Sequence, residues 1–188
     1  MNKIIQAAAE LQNICQSQGW QFCFIGGIAL QHWGEPRETI DVDLSLLVGF
    51  GQEQQFIEML LQHFEPRIST AAEFAQERRV LLLRSIEDVG LDVAMAALPY
   101  EELMIQRSSY IEYVPGLSLR ICSAEDLIVL KAFAGRGQDW VDVEGIIVRQ
   151  TGKLDWDYIF EQLRPLAELK DAPGILDQLE SRRVEFER

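Results

Sequence analysis

The chain has 188 residues, 30 of them acidic and 17 basic, and its formal net charge at pH 7 is −13. Hydrophobic residues make up 48% of it, which is typical of a folded protein and too apolar for a disordered one. No apolar run approaches the ~18 residues that a membrane span needs, and the first residues predict an amphipathic helix without a signal peptide. We therefore expect a cytoplasmic protein with no membrane partner. The acidic excess argues against strong, sequence-independent binding of nucleic acid by the chain itself.

The three cysteines, Cys15, Cys23 and Cys122, are odd in number and lack a C-x-x-C spacing. The chain has only two histidines, so a His/Cys zinc site is not expected. The pattern favours buried, reduced thiols.

Helix and strand patterns alternate over the first half of the chain. The hydrophobic spacing predicts helices over residues 3–18, 28–33, 52–64 and 99–106. Strands are predicted over residues 20–25, 39–48, 79–84 and 91–96. This alternation predicts an α/β (α+β) core over residues 1–106, with a mixed sheet and flanking helices.

The second half of the chain is mainly helical. Strands over residues 110–114 and 117–122 flank Pro115-Gly116, which predicts a hairpin. Helices are then predicted over residues 124–134, 141–150, 156–169 and 175–183. Of the 17 basic residues, 11 lie after residue 105. We expect a second region over 107–188, a hairpin plus helices that completes the active-site cleft.

Two carboxylates two residues apart mark the most informative strand. Asp41, Asp43 and Ser45 share one strand face, while residues 40, 42, 44, 46 and 48 are apolar and are expected in the core. The two aspartates lie ~6–7 Å apart at Cα, and their repulsion is usually offset by a cation. Oxygen pairs of this kind suit Mg²⁺ or Mn²⁺. A solvated strand face with ordinary polar alternation explains the same pattern equally well.

A third carboxylate and a glycine pair strengthen the cation hypothesis. Asp92 lies among small residues on an otherwise apolar strand, where burial is costly without a partner. If the two strands are neighbours, three carboxylates converge, and Asp92 becomes the candidate general base. Gly26-Gly27 stands before a short helix whose N-terminal N–H groups suit a phosphate.

These motifs together resemble the nucleotidyltransferase fold of the DNA polymerase β superfamily. The match comprises Gly26-Gly27, then Arg37-x-Thr39-x-Asp41-x-Asp43-Leu, with Asp92 on a later strand. The second matching block runs from Ser123 to Glu144 and contains Lys131, Gly135-Arg136 and Asp142. Within the superfamily, the chain is most similar to small bacterial nucleotidyltransferase-like proteins related to the abortive-infection toxins.

The resemblance implies a role for each motif. Gly26 and Gly27 would contact the nucleotide phosphates, Asp41 and Asp43 would bind metal, and Asp92 would complete the triad. The implied reaction transfers a nucleoside monophosphate from an NTP to an acceptor hydroxyl on RNA, a protein or a small molecule, with release of pyrophosphate. A toxin–antitoxin partner is also implied.

Four further residues are candidates for binding phosphate or nucleotide. Lys131 falls inside the buried stripe of its helix, so its ammonium is expected to reach the triphosphate or the acidic site; the alternative is a lysine that reaches solvent. Arg136 is a loop cation that either reaches phosphate or is solvated. Arg37 either pairs with Asp41 or contacts substrate, and Thr39 lies between them in sequence.

Two acidic residues of the second block are expected to organise its loop. Asp139 is placed to cap the following helix, and Asp142 lies one turn into it, near its positive end. Neither is expected to bind metal.

The sequence is also compatible with three alternatives to nucleotidyl transfer. The D-x-D-x-S pattern also fits haloacid-dehalogenase phosphatases, but in those the apolar strand precedes the aspartates. A glycosyltransferase D-x-D leaves Gly26-Gly27 unexplained. The main alternative is a non-catalytic member of the same fold, acting as a binding module or an antitoxin.

Overall fold

A computed structural model describes residues 2–187, which form one mixed sheet and a set of helices. The strands are β1 Phe22–Phe24, β2 Asp41–Leu47, β3 Glu65–Pro66, β4 Val80–Arg84, β5 Gly90–Ala96, β6 Ser109–Val114 and β7 Leu117–Ile121. The helices are α1 Lys3–Ser17, α2 Gly26–Trp33, α3 Glu53–Leu60, α4 Ala71–Arg78, α5 Pro99–Arg107, α6 Ala124–Ala134, α7 Gly137–Arg149, α8 Trp156–Leu169 and α9 Gly174–Phe186. No helix within residues 2–187 is long and apolar enough to cross a membrane.

The sheet confirms the predicted fold class and places the two carboxylate strands at its centre. The strand order is β3-β4-β5-β2-β1-β7-β6. β2 pairs in parallel with β5 and antiparallel with β1, while β1 pairs in parallel with β7. The pairs β3–β4, β4–β5 and β6–β7 are antiparallel. Central strands are paired on both edges, so their side-chain register is rigidly set.

One face of the central strands forms the core of the sheet. Val42 and Leu44 of β2 and Leu91 and Val93 of β5 are fully buried. α1 packs against β2 and β7, and its apolar stripe, which includes Leu11, is buried. This burial fixes the opposite faces of β2 and β5 as the polar ones.

Contacts within the chain divide it into two units. The first contains the chain up to Ile28 and Glu38–Cys122, and it holds the whole sheet. The second contains Ala29–Arg37 and the chain from Ser123 onward, in which α6 packs against α7, α8 and α9. The observed division therefore differs from the predicted one at residues 106 and 107. The physical reason is that the predicted hairpin, which is confirmed, pairs with β1 and so belongs to the sheet.

Local differences from the predicted elements concern strand and helix ends. β2 begins at Asp41, so Ile40 lies outside the strand and is 78% exposed instead of buried. α7 begins four residues before its predicted start, at Gly137. Neither β3 nor α4 was predicted from the sequence pattern. All three cysteines are buried, as predicted, and no disulfide joins them.

Candidate active site

The register between β2 and β5 brings the three predicted carboxylates onto one face of the sheet. Asp43 pairs directly with Asp92, and Asp41 pairs with Gly90. Neighbouring strands lie about 5 Å apart, so the side chains of Asp43 and Asp92 are adjacent. All three carboxylates are half-buried. The expectation that the two carboxylate strands are neighbours is thus confirmed.

The paired glycines let the start of α2 lie directly against this face. Gly26 has a φ of +56°, and a Cβ added to it would overlap Asp43 Oδ2. A Cβ on Gly27 would stand 2.6 Å from Thr39 Cβ, which is closer than real Cβ atoms approach. Only residues without a side chain allow both contacts. The glycines are therefore required by the positions of Asp43 and Thr39.

Thr39 is bonded to the first carboxylate of β2. Its hydroxyl lies 3.1 Å from the backbone oxygen of Asp41 and 3.3 Å from Asp41 Oδ1, to which it donates. This contact holds the segment before β2 close to the strand. Thr39 was predicted as a nucleotide-binding residue, and that role stays a prediction.

An arginine that the sequence did not single out contacts the third carboxylate. Arg67 Nη2 donates to Asp92 Oδ1 at 2.5 Å, and both side chains are about 30% exposed. Its Nη1 fills the space beside Gly90, where a Cβ would lie 2.5 Å away from it. Arg67 follows β3, which is only two residues long and carries no periodic signal. No pattern in the sequence could have found this contact.

The pKa of Asp92 reflects these neighbours. Burial raises it above its ordinary value, and the negative charge of Asp41 raises it further. The Arg67 guanidinium acts in the opposite direction through its charge and hydrogen bond, but does not cancel the rise. Asp92 is therefore a better proton acceptor than an ordinary aspartate.

The donor chemistry of this face fits a hard divalent cation. The side-chain atoms there that could bind a metal are carboxylate and hydroxyl oxygens, the ligands that Mg²⁺ and Mn²⁺ prefer. As the side chains stand, no three His, Cys, Asp or Glu residues within 2–187 are grouped to hold one ion. Asp41 and Asp43 would hold such an ion, and Arg67 occupies one oxygen of Asp92, the third predicted ligand.

The other predicted cations form a separate cluster within the second unit, centred on Asp142. Lys131 Nζ donates to Asp142 Oδ2 at 2.6 Å and lies 3.7 Å from Asp139 Oδ1. Arg37 donates to Asp142 through Nε at 2.9 Å and Nη2 at 3.0 Å, and Gln138 donates to it at 3.0 Å. Of the two outcomes left open for Arg37, the structure shows an ion pair, although with Asp142 instead of Asp41. Lys131 is 6% exposed, so it does not reach solvent.

Arg136 belongs to the same cluster through Asp139. Its Nε donates to Asp139 Oδ2 at 2.6 Å, and its backbone N–H donates to the same oxygen at 3.2 Å. Asp139 was expected to cap the helix from the position before it, but it is the third residue of α7 and accepts from the backbone N–H of Arg136, the residue that precedes the helix. This hydrogen bond accounts for the early start of α7. The Arg136 side chain is 78% exposed. The predicted phosphate binding by Lys131, Arg136 and Arg37 stays a prediction. A phosphate would have to compete for these cations with Asp139 and Asp142.

The cations hold both aspartates of the cluster in their charged form. Burial alone would raise the pKa of Asp142, but hydrogen bonds from Arg37, Lys131 and Gln138 outweigh it and lower the pKa. Burial would also raise the pKa of Asp139. The hydrogen bond from Arg136 and the charge of Lys131 outweigh this effect, so the pKa of Asp139 is lowered as well.

A helix that begins with two glycines against the aspartates of a central strand, with a third aspartate on the parallel neighbour, defines a nucleotidyltransferase fold. The family described as "Nucleotidyl transferase AbiEii toxin, Type IV TA system" matches residues 11–182. The chain belongs to this family, which confirms the resemblance seen in its motifs.

Solved structures agree on the fold. An antigenic nucleotidyltransferase-like protein from Paracoccidioides brasiliensis is 16% identical, with a TM-score of 0.54, over 96% of this chain and 93% of that one. The lincosamide antibiotic adenylyltransferase LnuA, solved with lincomycin bound, is 12% identical, with a TM-score of 0.53, over 78% of this chain and 96% of that one. No curated protein matches the chain in sequence.

Proposed function

We propose that this protein is a metal-dependent nucleotidyltransferase that transfers a nucleoside monophosphate from an NTP to an acceptor hydroxyl. The observation that carries the proposal is the pairing of Asp43 with Asp92 across β2 and β5, with Gly26 packed against Asp43. Adjacent carboxylates repel each other, and a binding site for a cation explains why the fold holds them together. Membership of a nucleotidyl transferase family supports the same reaction.

Asp41 and Asp43 are the residues that would hold Mg²⁺ or Mn²⁺. Such an ion, when bound, polarises phosphoryl oxygens and makes an attacking hydroxyl more acidic. The first turn of α2, at Gly26 and Gly27, offers backbone N–H groups to the phosphates of the nucleotide.

Asp92 is the proposed general base. The acceptor hydroxyl oxygen forms a bond to the α-phosphorus, its proton passes to Asp92, and the bond from the α-phosphorus to the bridging oxygen breaks to release pyrophosphate. Asp92 pairs with Asp43 across the strands, which sets a proton acceptor beside the proposed metal ligands.

The family also guides the biological proposal. Its description names a toxin of a type IV toxin–antitoxin system. We therefore propose that the protein acts as the toxin of such a pair, and that its partner is an antitoxin protein encoded with it. The acceptor is RNA, a protein side chain or a small molecule.

A labelling assay tests the activity. The protein is incubated with each α-labelled NTP, Mg²⁺ or Mn²⁺ and cell extract, and the label is followed into RNA, protein and small-molecule fractions. We expect label in one fraction, and none with the Asp41→Asn/Asp43→Asn variant. Glu73→Gln is the matched control, since it removes an exposed carboxylate from α4. Equal labelling by wild type and the double variant would overturn the proposed enzyme and favour a binding module.

A further inference from the structure

Arg67 supplies a positive charge that touches the carboxylate face within the first unit. Its guanidinium lies 2.5 Å from Asp92 Oδ1. Asp92 is the residue that pairs with Asp43 across β2 and β5. The negative charge of Asp41 also acts on Asp92. Arg67 therefore offsets part of the repulsion that a divalent ion would otherwise relieve.

The backbone makes room for this guanidinium. Arg67 Nη1 fills the space where a side chain at Gly90 would begin, and Gly90 is the strand partner of Asp41. Gly90 does not have a positive φ, so its backbone conformation does not itself require glycine. The lack of a side chain at this position serves the placement of Arg67.

We propose that Arg67 is a positioning residue that competes with the divalent ion for Asp92. The inference rests on the proposed metal-dependent function and adds to it a control of metal affinity. A guanidinium and a divalent ion at the same carboxylate oxygen repel each other, so the ion reaches Asp92 only when Arg67 leaves. Arg67 thus keeps Asp92 paired in the metal-free protein and gives it up when the site is loaded.

A cavity beside the face gives Arg67 a place to move to. It has a volume of about 300 Å³ and lies next to the carboxylate face. Its lining residues are Ile40, Asp41, Arg67, Arg84, Asp88 and Gly90. The displaced guanidinium therefore remains close to the site after the exchange.

The test measures Mn²⁺ affinity without nucleotide, by the electron paramagnetic resonance signal of free Mn²⁺, on the full chain. Arg67→Met should bind Mn²⁺ at least tenfold more tightly than wild type, while Arg67→Lys, which keeps the charge, should stay within about threefold. Gly90→Ala should also tighten binding, by a smaller factor, because the new Cβ displaces the guanidinium without removing its charge. A melting curve in EDTA shows that each variant is folded.

Arg84→Met is the matched control. Arg84 lines the same cavity but forms its ion pair with Asp88, at 3.0 Å. It should change Mn²⁺ affinity by less than twofold. An equal gain with Arg84→Met would reduce the effect to general electrostatics and overturn the proposal.

Two further results separate this inference from the proposed function. Unchanged or weaker Mn²⁺ binding by Arg67→Met and Gly90→Ala, with wild-type binding that still depends on Asp41 and Asp43, overturns the competition and leaves the metal site intact. If Mn²⁺ binding is absent in wild type and every variant, or persists in Asp41→Asn/Asp43→Asn, both this inference and the proposed metal-dependent function are overturned.

Discussion

Replacing Gly26 with alanine tests whether the paired glycines exist because of Asp43. Gly26 begins α2 with a φ of +56°, and its added Cβ would overlap Asp43 Oδ2. The substitution therefore has two separate costs: the strain of a left-handed backbone and the displacement of the Asp43 carboxylate. The second cost is the one that concerns the site.

The magnitude of each cost follows from the geometry. A residue with a Cβ in the left-handed region loses about 1–2 kcal/mol. Forcing Asp43 away from its preferred rotamer adds about 0.5–1.5 kcal/mol. We expect Gly26→Ala to lower the free energy of unfolding by about 1.5–3.5 kcal/mol. For a chain of this size, the Tm falls by about 2–4 °C per kcal/mol.

Gly19→Ala is the matched control for backbone strain. Gly19 has a φ of +67°, and an added Cβ would have no atom within 4 Å. It should cost only the strain, about 1–2 kcal/mol. The assay is urea unfolding in EDTA for both variants, followed by Mn²⁺ binding, which Gly26→Ala should weaken at least tenfold and Gly19→Ala should not change.

A double variant isolates the contact with Asp43. Asp43 Cβ itself would lie 2.9 Å from the new Cβ, so only an Asp43→Gly background removes the overlap; there the cost of Gly26→Ala should fall to that of Gly19→Ala. Equal costs for Gly26→Ala and Gly19→Ala in the wild-type background, together with unchanged Mn²⁺ binding, would refute the reasoning.

Four further predictions concern stability and reactivity. Asp43→Asn should leave the Tm in EDTA unchanged or raise it, because it relieves repulsion between adjacent carboxylates; a clear loss would make Asp43 a structural hydrogen-bond partner. Lys131→Ala should cost about 3–5 kcal/mol in urea unfolding, since it leaves buried aspartates short of a partner, whereas the exposed Arg136→Ala should cost under about 1 kcal/mol. Because the pKa of Asp142 is lowered in the folded protein, its charged carboxylate stabilises the fold above about pH 4, and this stabilisation is lost as the pH falls through the folded-state pKa. The difference in free energy of unfolding between wild type and Asp142→Asn should therefore shrink from pH 7 to pH 3. A constant difference would contradict this. All three cysteines are buried, and burial raises the pKa of Cys15 to about 12; a disulfide reagent at pH 8 should therefore label no cysteine of the native protein and all three after unfolding.

The helices with clear signals at both ends were predictable from the sequence. α6 runs from Ala124 to Ala134 as predicted, because Ser123 accepts a hydrogen bond from the backbone of Asp126 and Gly135 ends the helix with a φ of +70°. These signals act within a few residues of chain. α4, by contrast, was missed because only Ala71 and Ala75 of it are buried, which leaves no apolar stripe to detect.

The carboxylate site was predictable in composition but not in its charge balance. Asp41, Asp43 and Asp92 stand out because charged residues alternate with core residues on apolar strands. Arg67 does not stand out, because its contact with Asp92 joins positions 25 residues apart through the pairing of β4 with β5 and of β3 with β4. The same limit applies to Lys131, whose burial was predicted but whose partner was not.

By itself, the sequence determined the alternation of helices and strands, the family, and the three carboxylates with their glycine pair, since each depends on local spacing. Only the tertiary structure decided which charges meet. The register of β2 against β5 sets Asp43 beside Asp92, and the path of the chain brings Arg67 to Asp92 and Arg37 to Asp142. Electrostatic partners depend on distances of a few ångströms between remote segments, and no pattern along the chain encodes those distances.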